Sequence, residues 1–521
     1  MAQAGEETPA DLAALVLAAE DGVVSEAAIA AVLSERLAHS HPYTWASATT
    51  LVSVNPYRDQ SGMDAEAAEH ASVYHDLTAV APHPCALAAR AYHRMLRTQQ
   101  SQSIVYHGMT DAGKTHTMQL VTEHLLTLAS SNTPQEAHLA DQVRCAQHVL
   151  GAFGTARTSF SERSSRHATY LELHFGPEGR MCGAKLLTFG LDQHRLHDKA
   201  PGERVYAIFY QLLAGATHDE QVAYHLSELT APAMLPPGTS PSREDARACD
   251  WTRSALAALG LKEKHVQGLF RVLAALLHLS DVDFGEPPTD GQAAHITTQR
   301  ALERAADVLQ VRAEDLAQCL VMDTRYLGNE RVTQMLNVRA ARRQRDALVE
   351  NLYAVLFAFV VEVVNQKLAP HQATHPLHIV QLDTPGFVTR AEAGLPRAGH
   401  FDDLMKNYVA ELLRHVDLRS VLDESAPRNA QLRADGLSVP PSGKYADVMS
   451  LLRGGPVPLD ADAPAPGGLM GDYDRAFHLV LDGIRKESDD RALVSDLDAY
   501  CTNRAFSPSD PRRGTLSFDI N

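Results

Sequence analysis

A chain of 521 residues with 47 Lys and Arg against 64 Asp and Glu carries a formal charge of −17, which argues against binding nucleic acid or anionic lipid by bulk charge. With 45% apolar and 21% charged residues the composition is globular, which excludes a disordered chain. Cys145 and Cys182, the nearest pair of six Cys, are 37 residues apart, so no CxxC or zinc-finger spacing exists. The cysteines are therefore expected to be free thiols in a reducing compartment. The longest apolar run, residues 352–361, ends at Glu362. It falls short of the roughly 18 residues a membrane span needs, so a soluble intracellular chain is expected.

In chain order, the Ala-rich residues 1–41 predict a helical lead. Thr8 and Pro9 resemble an N-cap with Pro at the first helical position, and Ser25 can cap a second helix bearing Ile29, Val32, Leu33 and Leu37 on one face. Residues 50–54 predict a short strand broken by Asn55 and Pro56. A helix is expected over 82–96, a buried strand over 103–106 and a helix over 114–129. Alternation on both sides of Pro177-Glu178-Gly179 predicts a β-hairpin over 169–175 and 181–190. Further helices are expected over 203–214, 264–279, 299–308, 342–365 and 401–416. A surface loop is expected over 231–242 and a third buried strand over 377–382. Residues 425–470 are rich in Pro, Gly, Asp and Ala and give few signals. Strands alternating with helices predict an α/β fold around a mostly parallel central sheet.

The strongest motif is Gly108-Met109-Thr110-Asp111-Ala112-Gly113-Lys114-Thr115, which fits GxxxxGK[ST] and lies between a predicted strand and a predicted helix. In that setting backbone N–H groups cradle phosphates at the helix N-terminus. Lys114 reaches the β- and γ-phosphates, and the Thr115 hydroxyl takes a Mg²⁺ position. Asp111 places a carboxylate where a phosphate approaches. Two like charges at 4 Å and an effective dielectric near 20 repel by about 4 kcal/mol, so Asp111 is expected to weaken binding without abolishing it. A second motif, Asp383-Thr384-Pro385-Gly386, ends the third strand, where Asp383 can hold Mg²⁺ through water and the Gly386 N–H can meet the γ-phosphate. A GTPase is disfavoured: the two motifs are about 270 residues apart and no NKxD or TKxD sequence occurs.

Several segments together resemble the myosin head. They are TLVSVNPY (50–57), SQSIVYHGMTDAGKT (101–115), AFGTARTSFSERSSR (152–166) and YLELHFGPEGRMCGAKLLTF (170–189). GERVYAIFYQLLAGA (202–216), VLAALLHLSDVDF (272–284), VQLDTPGF (380–387) and FDDLMKNYVAELL (401–413) complete the set. Their order agrees with that family from about residue 42 to 521. The resemblance implies a P-loop NTPase fold that binds ATP and Mg²⁺. Ser164, Ser165 and Arg166 look like switch I: Ser164 near the attacking water, Ser165 on Mg²⁺, Arg166 as a salt-bridge former. Asp383 and Gly386 look like switch II, Asn55 and Pro56 like the start of the adenine-side motif, and residues 401–416 like the relay helix.

The departures from the family pattern are as informative. The switch II Glu that pairs with the switch I Arg is Val388 here, so Arg166 is expected to lack a partner. An orphaned buried charge costs about 3–5 kcal/mol, which disfavours the closed, hydrolysis-ready state. Glu162 and Arg163 replace Asn residues of switch I, His167, Ala168 and Thr169 replace a Phe-Gly-Lys, and Met63 stands at the adenine-side Tyr. The SH3-like module that precedes the head in the family is not expected here, and residues 514–521 align with the strand before the actin loop. The lower actin-binding region, converter and lever are thus expected to lie outside this sequence, leaving actin binding weak or lost and no power stroke.

Among relatives, the lead and the eroded switches are most similar to the N-terminal myosin-motor-like domain of fungal chitin synthases. A divergent class eighteen-type myosin is the alternative. The expectation is an ATP-binding tethering or delivery module with weak or no ATPase, working with vesicles or chitin synthase machinery. Its place would be the cytoplasm, on cytoskeleton, vesicles or the inner face of the plasma membrane. An actin-stimulated ATPase and a nucleotide-free scaffold are the competing readings. His278 and the stripe 352–359 are expected to be core, and the basic run 339–345 a solvated helix face.

Overall fold

The computed structural model describes residues 11–18, 25–388, 405–414, 506–508 and 518–520, apart from 48, 59, 74–80, 130–132, 160, 200–201, 230, 288–291, 328–329 and 370–375. Thr8, Pro9, Cys501 and residues 425–470 lie outside the described residues. The chain divides into two compact units, Met1–Pro385 and Gly386–Asn521.

The first unit is built on a four-stranded sheet: β1 (Gln102–Tyr106), β2 (Ala168–Phe175), β3 (Met181–Phe189) and β4 (Leu377–Asp383), in the order β1-β4-β2-β3. β4 runs parallel to β1 but antiparallel to β2, and β2 is antiparallel to β3. The expected mostly parallel sheet is thus corrected among the described residues: one pairing of three is parallel. The hairpin turning at Gly179 (φ +82°) accounts for one of the two antiparallel pairings, since a hairpin can only be antiparallel, and the long-range pairing of β2 with β4 is the other.

Five helices matter most here: α1 (Pro84–Thr98), α2 (Lys114–Ala129), α3 (Pro134–Gly154), α4 (Glu263–Ser280) and α5 (Val338–Leu368). Helix α3, which the sequence reading passed over, starts at a complete capping box of Thr133 and Glu136 with Pro134 in its first turn. The odd-numbered face of the sheet is covered: Leu171, Leu173, Phe175 and Ile379 are fully buried. A buried polar chain crosses it. Tyr106 Oη donates to Gln381 Oε1 at 2.7 Å, and Gln381 Nε2 donates to Thr122 Oγ1 at 2.9 Å, tying β1, β4 and α2 together.

Helix α5 spans 31 residues and, by length and composition only, is long and apolar enough to cross a membrane. One face of it is core, whereas Val355 and Phe359 of the stripe expected to be core are exposed. Tyr353 is fully buried, stacks on Tyr206 and Phe209, and donates to the Phe153 carbonyl at 2.5 Å. The basic start of α5 is tied to the fold more than a solvated face requires. Arg342 pairs with Asp283 at 2.7 Å, and Arg345 donates to the Val282 carbonyl. His278 on α4 is core, as expected: Nε2 meets the Tyr224 carbonyl at 2.8 Å, while Nδ1 is buried without a hydrogen-bond partner. Cys85, Cys145, Cys182, Cys249 and Cys319 are free thiols. Ser25 caps Glu26–Ala38 by accepting from the Ala28 N–H.

Candidate phosphate-loop site

The register of the sheet brings the distant motifs to one edge. Asp383, the last residue of β4, lies opposite Tyr106 at the end of β1 and Thr169 at the start of β2. The loop 107–113 leaves β1 at this edge and enters α2 at Lys114, and the switch-like Ser164–Arg166 enters β2 there. Gly108 (φ +141°) and Gly113 (φ +90°) supply the positive φ angles the loop needs. Asp111 adopts φ +69°, strained for a residue with a Cβ but more tolerable for Asp than for most. Asn55 Nδ2 donates to the Asp111 carbonyl at 2.8 Å and so braces the loop, and half-buried Pro56 follows it.

Within the loop, Met109 is exposed, Thr110 turns the chain, and the Ala112 N–H donates to the Met109 carbonyl at 3.3 Å. Lys114 Nζ donates to that same carbonyl at 2.7 Å. Burial lowers the Lys114 pKa, and the charges of Asp383 and Asp111 oppose that lowering. The Asp111 carboxylate therefore acts on the very ammonium that a phosphate would use.

Three oxygens converge beyond Lys114. Thr115 Oγ1 donates to Asp383 Oδ2 at 2.5 Å and lies 3.1 Å from Ser165 Oγ. Asp383 is 2% exposed, and its Oδ1 is buried without a hydrogen-bond partner. Burial raises the carboxyl pKa, offset by the Thr115 hydrogen bond and the Lys114 charge. A buried carboxylate oxygen left unpaired beside two hydroxyls is an all-oxygen donor set of the kind a hard divalent cation takes, so these residues fit Mg²⁺.

Switch I holds the main correction. Arg166 is paired: its Nη2 and Nε lie 2.5 and 3.1 Å from Asp192 Oδ2, with side chains 13% and 9% exposed. The backbone joins the same two residues, since the Asp192 N–H donates to the Arg166 carbonyl at 2.9 Å. Burial opposes the guanidinium charge, Asp192 more than compensates, and the Arg166 pKa stands above its ordinary value. The expectation of an orphaned Arg166 fails because the hairpin's open end delivers another carboxylate. Ser164 is buried and pairs with Ala156, and Ser165 pairs with Thr155. Asp192 was missed as a site residue, although counting the ladder outward from the predicted hairpin turn would have placed it near Arg166.

His167 fills the place behind the switch. It is buried against Gly154 and edge-on to Phe357, and burial pushes its pKa down to about 4. In the second unit Gly386 is buried. The Val388 backbone is clamped there by Asn407, which accepts from its N–H and donates to its carbonyl, both at 2.9 Å. Asn407 sits on a helix over 405–414, inside the expected 401–416. The structure thus gathers Asn55, Asp111, Lys114, Thr115, Ser165 and Asp383 at one edge, with Ser164 and Arg166 adjoining.

A strand–glycine loop–helix with a Lys and a Thr, faced by an Asp at the end of a neighbouring strand, defines the class as P-loop NTPase-like. The family model of the myosin head (motor domain) matches residues 18–425, and the chain belongs to that family. It is 30% identical over 95% of its length to chitin synthase 8 of Mycosarcoma maydis, covering 24% of that protein. It is 27% identical over 96% of its length to chitin synthase 5 of Cryptococcus neoformans var. grubii, covering 26% of that protein. It is also 30% identical over 71% of its length to unconventional myosin heavy chain 6 of Caenorhabditis elegans, covering 17% of that protein. The chain thus spans about a quarter or less of these three relatives.

Proposed function

We propose that this head binds Mg-ATP with weak or no hydrolysis, serving as a tethering or delivery module of a fungal chitin synthase. The observation that carries the binding is the convergence of Thr115, Ser165 and the buried, unpaired Oδ1 of Asp383 beside the loop Gly108–Thr115. Bound there, the cation would neutralise phosphate charge. Thr115 and Ser165 would offer hydroxyl ligands and Asp383 would stand behind them. Loop N–H groups and Lys114 would hold the phosphates, with Asn55 and Pro56 at the adenine side. Ser164 would orient water.

Slow chemistry follows from the switch. Arg166 is engaged by Asp192, and Val388 supplies no carboxylate to draw it into a closed gate. The chitin synthase relatives align over nearly the whole chain, which favours that branch over a free-standing motor. In this reading the head works at vesicles or at the cytoplasmic face of the plasma membrane. An active actin-stimulated ATPase is the second reading, favoured by the intact Ser164, Ser165 and Thr115 arrangement.

Labelled ATP binding and single-turnover hydrolysis with Mg²⁺, against a Lys114→Ala control, separate these readings. Saturable binding lost in the control, with turnover no faster than in it, is expected. Turnover well above the control gives the motor reading, and no binding at millimolar ATP gives a nucleotide-free scaffold.

A further inference from the structure

At the other end of β4, five residues and about 17 Å of strand from Asp383, a second cluster is assembled that nucleotide binding does not use. Glu172 and His174 are two residues apart on β2, so the pleat sets them on one face. His378 lies directly opposite His174 in the antiparallel β2–β4 ladder. Glu172 Oε1 is 3.0 Å from His174 Nε2 and 3.1 Å from His378 Nδ1, and the two rings meet edge to face with centroids 4.9 Å apart. One donor atom from each residue falls within 4.8 Å of the other two.

The hydrogen bonding within the cluster is incomplete. His174 is 7% exposed and its Nδ1 is buried without a hydrogen-bond partner. His378 Nδ1 faces Glu172 at contact distance but out of line for a hydrogen bond, so it too is buried without one. Ligands bound tetrahedrally at 2.0–2.1 Å lie about 3.3 Å from one another, so the two Glu–His separations need to widen by only a few tenths of an ångström, while the two imidazole donors, within 4.8 Å of each other, turn to share the ion. Gly183 stands opposite His174 on β3 and crowds it with no side chain, while Lys185 opposite Glu172 is exposed. Burial, with help from His378 and Lys185, holds the His174 pKa below its ordinary value against the pull of Glu172, which favours the neutral imidazole a metal needs. Tyr170, two residues before Glu172 on the same face of β2, lies close enough to feel its charge. The side chains of Glu172 and His378 are 17% and 31% exposed, which leaves an entry and room for water.

We propose that Glu172, His174 and His378 form a two-histidine, one-carboxylate site for a divalent transition-metal ion, zinc above all, with water completing the coordination. Two imidazoles disfavour Mg²⁺ and Ca²⁺, and the three-residue set contains no thiolate to select Cu(I). The ion would cross-link β2 to β4 at the edge remote from the phosphate loop, and the site stands whether or not ATP binds.

The test uses the full chain, stripped with a chelator and titrated with Co²⁺ followed by visible absorption, then with Zn²⁺ by calorimetry. One equivalent of Co²⁺ with the intense bands of four- or five-coordination, displaced by Zn²⁺, is expected. His378→Ala and, separately, Glu172→Gln should each weaken Zn²⁺ binding at least about tenfold, with metal-free melting temperatures close to the parent chain. Because 26 His can bind metal adventitiously, the variants decide. Equal stoichiometry and affinity in parent and variants, or no one-equivalent binding in the parent, overturns the proposal. The milder His378→Gln replaces any variant that does not fold and faces the same criterion.

Discussion

Arg166 shows how one side chain decides what the site can do. In the family a switch II Glu draws this Arg across the closed gate; here Asp192 occupies it and position 388 is Val. Removing one partner of a buried ion pair costs about 3–5 kcal/mol. Asp192→Asn alone should therefore lower the melting temperature without speeding hydrolysis. Asp383 gives a second test at this scale. Burial raises its carboxyl pKa, so the charged form is disfavoured by the fold at neutral pH. Asp383→Asn keeps an acceptor for Thr115 and sheds that charge. The nucleotide-free melting temperature should rise slightly while Mg-dependent ATP binding falls, readable by melting with and without Mg-ATP. The loop residues were legible because GxxxxGK[ST] encodes backbone geometry locally, whereas Asp192 was not, because it acquires meaning only through a hairpin register.

At the level of elements, legibility followed how local the cause was. Helix α2, β4 and the hairpin emerged within a residue or two because flanking breakers and apolar runs mark them. Helix α3 was overlooked although Thr133-Pro134-Gln135-Glu136 spells its start. Its buried face is largely small, with Ala140, Ala146 and Ala152 between Val143, Val149 and Phe153, so the apolar stripe is weak in sequence. Sheet order was not readable at all: antiparallel insertion of β2 beside β4 joins residues about 200 apart. The cluster of Glu172, His174 and His378 was hidden for the same reason. The end of α3 carries its own prediction. Gly154 accepts the Arg166 N–H at 2.9 Å, and a Cβ there would sit 2.2 Å from the His167 ring. His167 is buried and edge-on to Phe357, with ring centroids 5.2 Å apart. Gly154→Ala should therefore destabilise by about 1–3 kcal/mol, as overpacking does, and should loosen Arg166. A melting curve beside ATP affinity would check it, an unchanged melting temperature counting against the tight fit.

For the whole molecule, the −17 charge and the 26 His act in opposite directions as pH falls. Acidification toward the sequence pI of about 5.8 relieves self-repulsion and by itself would stabilise the compact state. Histidines whose pKa the fold lowers oppose it, three of them most strongly. His124, His148 and His167 all have pKa values pushed to about 4, with burial as the largest cause. The unfolded chain takes up protons at these sites near pH 6.5, while the folded chain resists until about pH 4. The unfolded state binds more protons throughout that window. Stability is then full above pH 6.5 and declines as pH drops through it. For His167, buried at 4% exposure, the limit is on the order of 3 kcal/mol. Dispersed surface repulsion is screened at physiological salt within about 8 Å, so the buried histidines should dominate. Melting temperature should be flat from pH 8 to 7 and fall steadily from 6.5 to 5. His167→Phe, which restores the family's aromatic residue, should flatten the slope without shifting the pH 8 value downward by more than a repacking cost. Parallel slopes in parent and variant would mean that His167 does not resist protonation in the folded head.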